Sequence, residues 1–148
     1  IFLFLHADTK LPPRALEHVK RAIEAGYPWG GFFIRFSPDH FWLRWIAFRS
    51  NVRLALTSTV FGDQALFVTK EYFQASGGFP GISFMEDVEL SKRLKRLARM
   101  AIILTPAITS SRRFLEGGWF RTYSKMTLIM TLYHFGVKPD RLRKLYER

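Results

Sequence analysis

The chain has no cysteine. That excludes a disulfide framework and thiolate metal sites, and it suits a reducing compartment. Long apolar runs are also missing. Residues 1–5 and 101–104 are unbroken apolar stretches, but a bilayer needs roughly 20 residues, so no transmembrane helix is predicted. Acidic residues are scarce, 12 against 23 basic ones. The net charge of +11 favours phosphate-bearing partners, whether nucleic acid, nucleoside diphosphate or anionic lipid headgroup. Neither an internal repeat nor a low-complexity segment occurs. Aromatics, by contrast, are abundant at 16 %, so the core and any pocket should be rich in flat apolar faces. Hydrophobic residues at 48 % and charged residues at 24 % make an ordinary globular balance, which excludes disorder. The length of 148 residues is enough for one domain.

Residues 1–5 read as a strand buried on both faces, and such a strand needs partners on either side. The chain is therefore expected to be the remainder of something longer on its N-terminal side. Pro12-Pro13 opens a helix with Leu16, Val19, Ala22 and Ile23 at helical spacing, ended by Gly26. Residues 29–36 read as a strand in which Gly30 and Gly31 mark a bulge or a close backbone approach. Ser37-Pro38-Asp39 signals the start of a strongly apolar helix through Phe41, Trp42, Trp45, Ile46, Phe48, Val52 and Leu56. Arg49 and Arg53 are four apart on that helix and share a face, which reads as solvated surface. Residues 65–68 form a short buried strand, and 70–76 a short helix. Residues 86–99 form a helix with Val88, Leu94, Leu97 and Ala98 toward the core. The strand at 101–104 is stopped by Thr105-Pro106. Helices follow at 119–135 and 140–146. Short strands alternating with helices indicate a three-layer α/β domain.

Three clusters at strand or loop ends carry candidate chemistry: His6-Ala7-Asp8, Gly62-Asp63-Gln64, and the turn from Gly77-Gly78-Phe79-Pro80 to Glu86-Asp87. Polar residues after a buried strand lie where α/β sheets bind ligands. One carboxylate at a strand end, with phosphates supplying further oxygens, is a common way to hold Mg²⁺ or Mn²⁺. Paired glycines let a backbone approach a ligand, and a carboxylate at a helix N-terminus can serve as a general base. Each has a plainer reading as well. His6 can be a hydrogen-bonded histidine, Asp8 a turn residue, and Glu86 and Asp87 a complement to the helix dipole.

Taken in order, Phe4-Leu5-His6-Ala7-Asp8-Thr9, Phe61-Gly62-Asp63-Gln64-Ala65, Gly77-Gly78-Phe79-Pro80 and Met85-Glu86-Asp87-Val88-Glu89-Leu90 resemble family 2 glycosyltransferases of the GT-A fold. The similarity extends to a bacterial branch with a Thr-Ser-x-Arg-Arg-Phe segment, here Thr109 to Phe114, and covers almost the whole chain. The resemblance implies a GT-A-like α/β/α sandwich with a mixed sheet, lacking the two upstream nucleotide-binding βα units. It implies inverting transfer of a sugar from a nucleotide-diphosphate sugar to an acceptor hydroxyl. By the same resemblance Asp8 holds the metal, Gly77, Gly78 and Phe79 line the donor sugar and acceptor, and Asp63 and Gln64 lie in the substrate site. Asp87 is the base, Glu86 supports it, and Arg112 and Arg113 steady the leaving diphosphate.

Where the family has the first Asp of its metal motif, this chain has His6. One hard oxygen ligand is lost, and imidazole shifts the preference slightly from Mg²⁺ to Mn²⁺. Without the upstream units the chain is expected to be inactive alone. Residues 41–48 and the basic C-terminal helix predict peripheral contact with an anionic inner leaflet, where a lipid-linked acceptor would be met, and hence a cytoplasmic enzyme at the membrane face. Two rival readings stand beside this. A haloacid-dehalogenase-like phosphatase needs a nucleophilic Asp where His6 stands. A basic nucleic-acid-binding module is suggested by the charge, but no zinc, helix-turn-helix or aromatic RNA-platform signature accompanies it, and no nucleic acid is expected as partner.

Overall fold

The computed structural model describes residues 1–82 and 84–147; Ser83, within the glycine-rich turn, and Arg148 lie outside the described residues. In chain order the elements are β1 (Phe2–Phe4), β2 (Thr9–Lys10), α1 (Ala15–Glu24), β3 (Trp29–Ser37), α2 (Phe41–Thr57), a 3₁₀ turn (Gly62–Gln64), β4 (Leu66–Val68), α3 (Lys70–Ala75), α4 (Glu86–Leu97), β5 (Met100–Ser110), α5 (Arg112–Gly117), α6 (Trp119–His134) and α7 (Pro139–Glu147). The strands form one sheet in the order β1-β4-β3-β5-β2. The β3–β5 pair is parallel and the others antiparallel, so the sheet is mixed. Among the described residues no helix is long and apolar enough to cross a membrane.

Alternation along the central strands divides the core between two faces. Phe32, Phe67, Ala101, Ile103 and Ala107 meet Ala15 and Val19 of α1 on one side. Trp29, Leu66 and Val68 meet Leu54 of α2 and Leu90 and Leu94 of α4 on the other. Past the register step between Phe32 and Ile34, Ile34 and Phe36 form a third cluster with Leu43, Ile46 and Ala47 of α2 and Phe114 of α5. Helices thus cover both sides of the sheet, as the alternation of strand and helix signals leads one to expect.

Five expectations are corrected. Residues 1–5 do not form a strand buried on both faces: β1 is an edge strand bonded to β4 alone, and Ile1, Phe2 and Leu5 are exposed. Its apolar character serves a ring cluster instead, with Phe2 and Phe4 against Phe73 and Phe4 against Phe79. The strand at 101–104 does not stop at Pro106 but runs on to Ser110. Between Phe32 and Ile34 the register steps from Ile103 to Ala107, so Leu104, Thr105 and Pro106 bulge out and the missing proline N–H breaks no ladder bond. In α1 the inward pair is Ala15 and Val19, while Leu16 faces solvent. In α4, Leu90 takes the core position expected of Leu97, which is exposed; Ala98 lies past the helix end, where its carbonyl accepts from Trp29 Nε1 at 3.0 Å. Helix α2 begins at Phe41, capped by His40, because Ser37 still belongs to β3.

Candidate functional site

The 3₁₀ turn and the first turn of α4 are built into each other. Gln64 is fully buried, and its Oε1 accepts from Phe61 N–H at 3.0 Å and from Arg53 Nη2 at 2.9 Å. Arg53 also donates to the Thr59 carbonyl at 2.7 Å, and its guanidinium lies 3.5 Å from the centre of the Phe61 ring. Asp87 reaches the same turn from α4: Oδ2 accepts from Gly62 N–H and Oδ1 from Val88 N–H, both at 2.7 Å. One of these is an N–H that the helix start leaves without an intrahelical partner. Ser91, one turn further along, accepts from Val60 N–H at 3.0 Å and locks the approach to the turn.

His6 completes the group from the β1 side. A Cβ placed on Gly62 would lie 3.4 Å from His6 Cδ2 and 3.8 Å from Asp87 Oδ2, so three segments distant in sequence meet over one glycine. Nδ1 of His6 is 2.7 Å from Asp8 Oδ1, and both side chains are exposed. The Asp8 carbonyl accepts from Ser110 N–H at 3.1 Å, and Thr9 pairs with Thr109, which brings the start of the Thr-Ser-Ser-Arg-Arg segment alongside.

Burial dominates the electrostatics. Asp63 Oδ1 and Gln64 Nε2 are buried with no hydrogen-bond partner. Burial lifts the Asp63 carboxyl to about 6, with Arg53 opposing and Asp87 adding to the rise. Asp87 is likewise raised by burial, against the pull of the Gly62 and Val88 N–H groups, and Glu86 pushes it further. Arg53 is brought down to about 10 by burial, opposed by the charges of Asp63 and Asp87. Asp63 therefore binds its proton more tightly folded than unfolded, and ionising it costs stability. That cost is absent below pH 3.8, grows between 3.8 and about 6, and is complete above, where it amounts to about 3 kcal/mol. Asp63→Asn is expected to remove most of this fall in stability with rising pH, as measured by urea unfolding at pH 4.5 and 7.5.

The remaining candidates are distributed differently. Gly77 and Gly78 both have positive φ and end α3 by donating to the Gln74 and Phe73 carbonyls. Phe79 packs against Phe4 and Phe73. Glu86 is exposed in the first turn of α4 and acts on Asp87 through its charge. Arg112 opens α5 with its N–H on Ser110 Oγ, at the strand end beside Asp8. Arg113 instead lies over the Tyr146 ring of α7 at 5.0 Å. Two surface hollows, of about 160 Å³ beside Phe114 and Trp119 and about 560 Å³ beside Lys95 and Arg99, share no residue with the carboxylate group.

Sequence reasoning missed Arg53 and placed it on solvated surface. The structure turns it inward, and the signal was its position seven residues after Ile46, two turns along the edge of the buried stripe. Tyr133 of α6 was missed as well. Its hydroxyl donates to Glu89 Oε2 at 3.1 Å and is pushed up to about 12 by burial and that hydrogen bond, with the Asp87 charge contributing.

No group of three His, Asp or Glu residues able to hold a metal ion occurs among the described residues. His6 and Asp8 are a two-residue donor set, which fits a divalent ion only where phosphate oxygens complete the coordination. Comparison with protein-family models, curated proteins and solved structures gives no match.

Proposed function

We propose that the chain forms the metal-motif and acceptor-side part of an inverting glycosyltransferase of GT-A type, acting on a nucleotide-diphosphate sugar. The observation that carries this reading is the meeting of His6, Gly62 and Asp87, residues from three of the ordered motifs, at one turn. Helices on both faces of a five-stranded mixed sheet are compatible with it.

In the proposed reaction Asp87 accepts the proton of an acceptor hydroxyl. A carboxylate has about four acceptor sites, and the two backbone N–H groups leave two for that hydroxyl. The acceptor oxygen bonds to the anomeric carbon while the bond from that carbon to the phosphate oxygen breaks, and its electron pair leaves with the nucleoside diphosphate. Arg53 supplies positive charge beside two carboxylates and favours an ionised Asp87. Arg112 steadies the departing charge, joined by Arg113 once it leaves the Tyr146 ring, and Gly77, Gly78 and Phe79 line the sugar. A Mn²⁺ or Mg²⁺ ion held by Asp8 and His6 with the diphosphate oxygens would neutralise charge on the leaving group.

The test is calorimetric titration of the protein, as the cell makes it, with UDP and GDP in the presence and absence of Mn²⁺. Binding of one of them, weakened at least tenfold by chelator and by Asp8→Ala, is the expected result. Metal-independent binding, or none alongside salt-sensitive retention on nucleic acid, would overturn the proposal.

A further inference from the structure

Phe41, Trp45, Phe48, Val52 and Leu56 lie on one line of α2 and are 70, 43, 65, 39 and 80 % exposed. Their spacing of four, three, four and four residues puts them within a narrow stripe of the helix surface. The opposite line, with Leu43, Ile46, Ala47 and Leu54, fills the core, so α2 is apolar on both sides and only one side is covered. Aromatic contacts widen the exposed stripe toward α6. Trp42 stacks on Trp119 at 4.5 Å, Trp119 touches Phe120, and Trp45 touches Tyr123. Phe120 is itself 67 % exposed. A contiguous apolar band of this kind marks an interaction surface.

Charge selects its occupant. Helix α2 carries Arg44, Arg49 and Arg53 and no acidic residue; α6 carries Arg121 and Lys125 and likewise no acid. Arg53 turns inward to Gln64, and Arg44 pairs with Asp39 just before the helix. Arg49 remains on the stripe's flank, its guanidinium over the Trp45 ring. A second copy docked through this face would set basic helix against basic helix, an unfavourable juxtaposition. Val52 and Leu56 offer nothing to the stacked bases or phosphates of a nucleic acid. An anionic bilayer satisfies both parts, taking aromatic rings into the acyl boundary and arginines at the headgroup phosphates.

We infer that α2 lies flat on an anionic phospholipid surface, with Phe41, Trp45 and Phe48 inserted and Arg49 at the phosphate level. Residues 41–48 are part of the surface expected from sequence; the exposed stripe extends it along α2 to Val52 and Leu56 and sideways to Phe120 of α6. It holds whether or not the carboxylate site transfers sugar.

Flotation with phosphatidylcholine vesicles, with and without about 30 % phosphatidylserine at about 0.15 M salt, tests it. Binding to the anionic vesicles is expected to exceed binding to the neutral ones at least about tenfold. Trp45→Glu/Phe48→Glu should lose that binding by a similar factor with an unchanged melting curve, and Arg49→Gln should weaken it about fivefold. Leu56→Glu, at the most exposed position of the stripe, gives the same readout should the double variant fail to fold. Equal binding to both vesicles, undiminished binding by the stripe variants, or self-association in the ultracentrifuge that these variants abolish would each overturn the inference.

Discussion

With Asp87 as the proposed general base, Asp87→Asn is expected to lower turnover by about 10²–10⁴ while leaving nucleotide affinity nearly unchanged, since a base acts only in the transition state. The structure adds a second consequence. Both carboxylate oxygens accept backbone N–H groups, so an amide there turns its NH₂ toward the N–H of Gly62 or Val88. A donor facing a buried donor costs about 1–3 kcal/mol, and the melting temperature should fall with the rate. The two effects separate experimentally, because denaturant unfolding reports the lost hydrogen bond and single-turnover kinetics reports the lost base. Glu86→Gln, at an exposed position, serves as the comparison and should change turnover far less. If Asp87→Asn weakens nucleotide binding as much as it slows turnover, Asp87 only ties the turn to the helix.

Gly30→Ala is expected to destabilise the fold by about 4 kcal/mol or more, enough to leave little soluble protein at ordinary stabilities. The new Cβ would run into the backbone carbonyl oxygen of Ala101 on the neighbouring parallel strand, and it would meet the Phe67 ring at 2.7 Å. A carbonyl held in a central sheet cannot move aside without breaking the β3–β5 ladder. Gly31→Ala differs in kind. Its Cβ would meet Val60 Cγ1 at 2.8 Å, a side chain on a connecting segment, so a smaller loss of about 1–3 kcal/mol is expected. Urea unfolding of the two variants measures the difference directly. A Gly30→Ala protein as stable as Gly31→Ala would mean that the two strands can separate at this point.

Much of the fold was legible because local signals and tertiary placement agreed. The pairs Ala22-Ile23 and Gly26, Trp119 to Gly136, and the all-buried Leu66–Val68 read correctly from periodicity and helix-end chemistry. The carboxylate site was legible in its parts, since His6, Asp63 and Asp87 stand at element ends where side chains converge. Arg53 was not, because its direction depends on where the core stripe of α2 falls. That helix is apolar on both sides, so its sequence has no moment to reveal the buried face.

By itself the sequence determined the succession of the longer strands and helices though not β2 or α5, the absence of thiol chemistry and of a long apolar span, the basic charge, and the residue types that the proposed site would use. Only the tertiary structure decided that residues 1–5 form a sheet edge, that β5 passes through Pro106 by a bulge, that Arg53 turns inward, and that Phe41, Trp45 and Phe48 are left uncovered. The reason is common to all four. Periodicity reports that a side chain is apolar and on which line of its element it lies, but what covers that line depends on pairing between residues far apart in the chain.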